Sequence, residues 1–89
     1  MVRAHLYISG IVQGVGYRWS CSREAASRGL QGWVRNLPDG RVEALFQGPK
    51  GDVEGMIGWC YRGPSGARVS NIDVAYEEAG DELQDFGIR

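Results

Sequence analysis

Eighty-nine residues, 43% of them apolar and 24% charged, make one ordinary globular domain with a single modest core, residues 1–89. Ten basic against eleven acidic side chains give a formal net charge of −1, without the basic excess of a general nucleic-acid binder. No run approaches the roughly 20 apolar residues of a membrane span, and two cysteines with one histidine fall short of a conventional zinc site.

Residues 2–9 alternate, with Val2, Ala4, Leu6 and Ile8 on one face and Arg3, His5, Tyr7 and Ser9 on the other. This is the pattern of a half-buried strand. The same residues lack the apolar block of a secretory signal, so a cytoplasmic location is expected.

Gly10, Gly14 and Gly16 follow within seven residues, then Arg18. Residues 19–29 read as a short helix, with Cys21 and Ala25 four apart and Gly29 as its stop. A glycine-rich bend opening onto a helix start leaves backbone N–H groups without carbonyl partners, at the positive end of the helix dipole. Such a place binds a small oxyanion. Arg18 adds a permanent charge and a planar fork of donors suited to phosphate oxygens. The loop is not a Walker motif, because no Gly-Lys-Ser/Thr follows, and its order Gly-x-x-x-Gly-x-Gly is not the dinucleotide fingerprint. The plain alternative is a connector whose glycines only permit positive φ.

Residues 30–36 predict a second strand, with Leu30, Gly32, Val34 and Asn36 in one phase. Leu-Pro-Asp-Gly at 37–40 is a turn, and residues 41–48 predict a third strand with Val42, Ala44 and Phe46 inward, so that the two strands pair as a hairpin. Asp52 is the expected N-cap of a second helix, whose apolar stripe is Val53, Met56, Ile57 and Cys60 and whose end is Gly63-Pro64. A fourth strand carries Ile72, Val74 and Tyr76 in alternation, and Val69, out of phase with them, predicts a bulge or a later start. The tail, 83–88, is expected to return as a short edge strand. Cys21 and Cys60 fall on the inward stripes of the two helices. Buried reduced thiols are the expected state, and a disulfide between the helices is the alternative.

The order β-α-β-β-α-β is the split βαβ arrangement of ferredoxin-like α+β folds. Right-handed crossovers place both helices on one face of a four- to five-stranded antiparallel sheet. His5, Tyr7, Trp33 and Arg35 line the other face, where His5 is expected to take no part in chemistry. Asn36 closes the second strand, and the strand ending in the glycine loop is expected beside it. A carboxamide there can accept a proton from water and donate to another oxygen. An asparagine that only initiates the turn is the plain alternative.

Gly-Ile-Val-Gln-Gly-Val-Gly-Tyr-Arg (10–18) and Gly-Trp-Val-Arg-Asn-Leu-Pro-Asp-Gly-Arg-Val-Glu-Ala-Leu-Phe-Gln-Gly (32–48) resemble the two signature segments of the acylphosphatase family. The likeness extends to chain length, element order and Phe86. It implies hydrolysis of the carboxyl-phosphate bond of acyl phosphates without metal or cofactor. It assigns phosphate binding to Arg18 and to the loop amides of Gln13, Gly14, Val15, Gly16, Tyr17 and Arg18, and water positioning to Asn36. Family members accept benzoyl phosphate, so little selectivity for the leaving group is expected. The implied partner is a small acyl phosphate, with no nucleic acid or membrane, and the implied state is a monomer.

The chain departs from the common pattern at three places. Tyr17 stands where phenylalanine is usual, Gly16 is an additional glycine, and Leu37 replaces a hydroxyl residue after the asparagine. The Tyr17 hydroxyl therefore needs a partner, and any support for Asn36 must come from elsewhere. Two other functions fit the same strand order. One is a non-catalytic anion-binding module, akin to the N-terminal domain of the hydrogenase maturation carbamoyltransferase. The other is RNA binding through Tyr7 and Trp33, against which the third strand lacks the paired aromatics of the RNA-recognition signature.

Overall fold

The structure, a computed structural model describing residues 1–89, runs β1 (Val2–Ile11), α1 (Tyr17–Ser27), β2 (Gln31–Asn36), β3 (Val42–Gly48), α2 (Lys50–Arg62), β4 (Arg68–Glu77) and β5 (Phe86–Ile88). The five strands form one sheet in the order β4-β1-β3-β2-β5. Each helix crosses between two strands that run the same way, and each crossover straddles a third strand, as the split arrangement requires. β3 therefore lies between β1 and β2, and the expected direct neighbourhood of the glycine-loop strand and the Asn36 strand is not found.

The first four strands pair antiparallel, whereas β5 pairs parallel to β2, with Gly32 opposite Phe86 and Val34 opposite Ile88. The sheet is thus mixed at one edge, where a wholly antiparallel one was expected. The cause is the route of residues 78–85. They reverse the chain after β4 and carry it past the ends of the central strands, where Gln47 donates to the Gly80 carbonyl at 2.7 Å and Arg3 pairs with Glu82. A strand running opposite to β4 on the far edge must run with β2.

The core lies between the sheet and the helices. Ala4, Leu6, Ile8, Val34, Val42, Ala44 and Phe46 face inward from the strands and meet Tyr17, Cys21 and Ala25 of α1 and Val53, Met56 and Cys60 of α2. Phe86 of β5 stacks on Phe46, ring centroids 5.4 Å apart, which fastens the edge strand to the core. β3, covered on both faces, is buried along its whole length, including Glu43, Leu45 and Gln47. Of the β4 set only Ile72 is buried, since Val74 and Tyr76 lie exposed on an edge strand. The phase break at Val69 is a bulge: Ser9 pairs with Asn71 but Gly10 with Val69, so Ser70 is the extra residue.

α1 begins at Tyr17, two residues earlier than the pattern suggested. α2 begins at Lys50 behind Pro49, so Asp52 sits inside its first turn and makes no capping bond. It still places a negative charge near the helix N-terminus, where the dipole favours it. Cys21 and Cys60 are buried and free. No helix is long and apolar enough to cross a membrane.

Candidate active site

The site is built where β1 gives way to α1. Val12 is buried and anchors the start of the loop. Gly14 and Gly16 take φ of 75° and 77°, while no residue other than glycine has positive φ. The sign of φ therefore alternates from Gly14 to Tyr17, the backbone pattern of an anion nest. Nothing lies within 4 Å of where a Cβ would stand at either glycine, so the backbone conformation and not crowding is what calls for glycine there.

Gly16 is the N-cap of α1 and supplies no side-chain bond to it. The first hydrogen bond of the helix runs from Ser20 N–H to the Gly16 carbonyl at 3.1 Å. None of the N–H groups from Gly14 to Trp19 donates to a turn, cap or loop carbonyl. These are the donors that the sequence pattern leads one to expect.

A cleft of about 230 Å³ opens over them, lined by Gly14, Gly16, Tyr17, Arg18 and Asn36 together with Val12, Trp19 and Ile88. The structure thus brings Asn36 to the glycine loop although β3 separates their strands. Arg18 is exposed, enters no salt bridge and is the only charged residue lining the cleft. The carboxamide oxygen Oδ1 of Asn36 is buried and has no hydrogen-bond partner in the protein. A buried acceptor left without a donor costs on the order of 1–3 kcal/mol, so this atom is poised to receive one.

Two of the loop residues turn their side chains elsewhere. The Gln13 amide donates through Nε2 to the carbonyls of Leu37 at 2.8 Å and Arg41 at 2.9 Å. Val15 packs at the margin of the core. Neither residue lines the cleft. The Tyr17 ring is buried, and its hydroxyl donates to the Cys60 carbonyl at 2.6 Å, the partner its extra oxygen requires. Burial pushes that hydroxyl far above its ordinary pKa, so it stays protonated. A larger hollow, about 340 Å³, lies between the helices around Arg23, Glu24, Trp59 and Arg62, and shares no residue with the loop.

Three features escaped the sequence pattern: the Gln13 side chain as a strut, and Trp19 and Ile88 as walls of the cleft. Trp19 follows Arg18 directly and could have been noticed as a bulky residue on the exposed side of α1. The other two carry no local signal.

The acylphosphatase family model matches residues 4–88. The chain belongs to the acylphosphatase family. An acylphosphatase from Thermococcus kodakarensis is 60% identical over 77 residues, covering 86% of this chain and 85% of its own. The crystal structure of acylphosphatase from Bacillus subtilis superposes with a TM-score of 0.96 at 34% identity, covering 100% of this chain and 99% of that one. The crystal structure of T. kodakarensis HypF also contains the fold, with a TM-score of 0.86 at 31% identity, over 100% of this chain but 12% of HypF. Identity of this order over nearly whole chains makes the protein an acylphosphatase, an enzyme that splits acyl phosphates into a carboxylate and inorganic phosphate.

Proposed function

We propose that Arg18 and the main-chain N–H groups of residues 13–18 hold the phosphoryl group while Asn36 aims the attacking water. Phosphoryl transfer asks the protein mainly for positioning and for stabilisation of charge on the equatorial oxygens. The loop amides and the Arg18 fork supply that charge stabilisation without reorganising during the reaction. Asn36 Oδ1 accepts a hydrogen bond from the water and so directs its lone pair at phosphorus, opposite the carboxylate. The water oxygen–phosphorus bond forms as the bond from phosphorus to the carboxylate oxygen breaks. A carboxylate leaves readily without a strong general acid, so the cleft needs no histidine or paired carboxylates. The reading requires no metal or cofactor, and it takes residues 1–89 to act as one cytoplasmic, monomeric domain.

The buried, unpartnered Asn36 oxygen beside the free loop amides is the observation that carries this reading. The test is hydrolysis of benzoyl phosphate in EDTA by wild type, Arg18→Ala and Asn36→Ala. Wild type is expected to turn over. Arg18→Ala loses both binding and rate. Asn36→Ala loses on the order of 10²-fold in kcat, the typical effect of removing one positioned polar group, yet is still inhibited by inorganic phosphate. A folded wild type that binds phosphate but shows no dependence of turnover on Arg18 or Asn36 would overturn this assignment of roles.

A further inference from the structure

We propose that the hollow between α1 and α2 is a second oxyanion site, separate from the catalytic cleft, that takes a diphosphate group. Ser20, Arg23 and Glu24 line it from one face of α1, three and four positions apart, and Trp59 and Arg62 line it from α2, three apart. Two guanidiniums carried on different helices therefore meet one cavity of about 340 Å³. Neither Arg23 nor Arg62 enters a salt bridge. The one carboxylate of the lining, Glu24, is held by Arg28 Nε at 2.9 Å. The hollow thus concentrates uncompensated positive charge in a chain whose formal net charge is −1.

Part of the site is ordered before any anion arrives. Trp59 packs against the core as a floor, its ring centroid 5.7 Å from that of buried Tyr17. Gly63 and Pro64 end α2 and close the rim. The Arg23 guanidinium lies 4.7 Å from the Trp19 ring centroid. That cation–π contact steadies the side chain and uses none of its N–H donors, which stay available to oxygen. Ordering of this kind lowers the entropy lost on binding.

The negative end of the α2 dipole lies at the rim and works against an anion, with a strength of about half an elementary charge. Two full charges outweigh it. The helix end is also partly satisfied, because the Trp59 carbonyl accepts from Gly63 N–H at 2.8 Å and the Cys60 carbonyl from the Tyr17 hydroxyl at 2.6 Å. A single carboxylate would balance one guanidinium and leave the other. A diphosphate offers an oxygen pair to each fork, the geometry in which arginine binds phosphate best.

The experiment is an NMR titration of Arg18→Ala protein, whose cradle lacks its cation, with pyrophosphate at constant ionic strength. Saturable shifts are expected at the Trp59 indole N–H and at the Ser20 and Gly63 amides, and sodium chloride at the same ionic strength should not reproduce them. Arg23→Gln and Arg62→Gln, each added to Arg18→Ala, should raise the Kd about tenfold, the scale of one lost charge-assisted hydrogen bond. Both arginines are exposed, so neither change disturbs the core. ADP in place of pyrophosphate tells a nucleotide from a free diphosphate. A lower Kd for ADP with a larger Trp59 shift sets a base on the indole, and equal Kd values assign the site to the phosphates alone; both uphold it. Shifts confined to Gly14 and Gly16, shifts that chloride matches, or an unchanged Kd in both glutamine variants would overturn the site and leave the catalytic cradle untouched.

Discussion

Gln13 and Leu37, 24 positions apart, are joined by a 2.8 Å hydrogen bond from the Gln13 side-chain amide to the Leu37 carbonyl. The same nitrogen reaches the Arg41 carbonyl, and Leu37 N–H closes the turn onto that carbonyl at 2.8 Å. Leu37 directly follows Asn36, so the glycine loop and the asparagine are tied into one rigid corner across the end of β3.

Replacing Gln13 by alanine removes two hydrogen bonds from the corner and no group from the cleft. The expected stability loss is about 1–2 kcal/mol, read from the urea midpoint. A fall in kcat of about tenfold should accompany it, as loop and asparagine drift out of register. Full activity in a destabilised Gln13→Ala would show that the tie serves the fold alone.

Tyr17 bonds the Cys60 carbonyl, one of the last four carbonyls of α2, which lack partners within their own helix. Tyr17→Phe keeps the ring in the core and strands that carbonyl. We expect a loss of about 1 kcal/mol in unfolding free energy with catalysis intact, since the hydroxyl points away from the cleft. Equal stability of the two proteins would mean that the bond contributes nothing net.

The sheet face opposite the helices carries a pH-dependent network. His5 on β1 is gripped by Glu43 of β3 at 2.6 Å and Glu77 of β4 at 2.8 Å, and Arg35 of β2 bonds Glu43 at 2.6 Å. Tyr7 stacks on the His5 ring at 5.1 Å and Trp33 meets its edge at 5.9 Å. Burial works against a charged His5, but its hydrogen bonds to Glu43 and Glu77 outweigh it and hold its pKa above 6.5. Burial likewise works against the Glu43 carboxylate, and the bonds from His5 and Arg35 keep it below 4.5. The His5 contribution is therefore complete below 6.5 and lost as pH rises through its folded value. The Glu43 contribution is complete above 4.5 and lost as pH falls through its folded value.

Urea unfolding of wild type and His5→Gln across pH 5–8, a window of roughly three units around the histidine range, checks the sign. Wild type should be the more stable by about 1 kcal/mol at the acidic end, the usual worth of a charge-assisted pair that is partly solvated. The difference should shrink toward the alkaline end. A constant difference would show that His5 acts through packing alone.

The elements and the shape of the glycine loop were legible because each is written in a short stretch of chain. Alternation marks β1, the i, i+3, i+4, i+7 stripe marks α2, and the out-of-phase Val69 marks the bulge. The glycines at 14 and 16 and the charge at 18 lie within five consecutive residues, so positive φ, free N–H groups and a cation could be joined on paper. Asp52 was misjudged for an equally local reason: it has the chemistry of a cap, but Pro49 starts the helix earlier.

Everything else depended on which strands meet. β3 rather than β1 lies against β2, β5 runs parallel to β2, and His5 finds acceptors 38 and 72 positions away. Trp19 and Ile88, far apart in the chain, wall one cleft. Periodicity reports which face of a segment is buried, and it is silent on the neighbour that buries it. Strand order and register come from closing long loops over a shared core, a balance of chain entropy against burial that no local stretch contains.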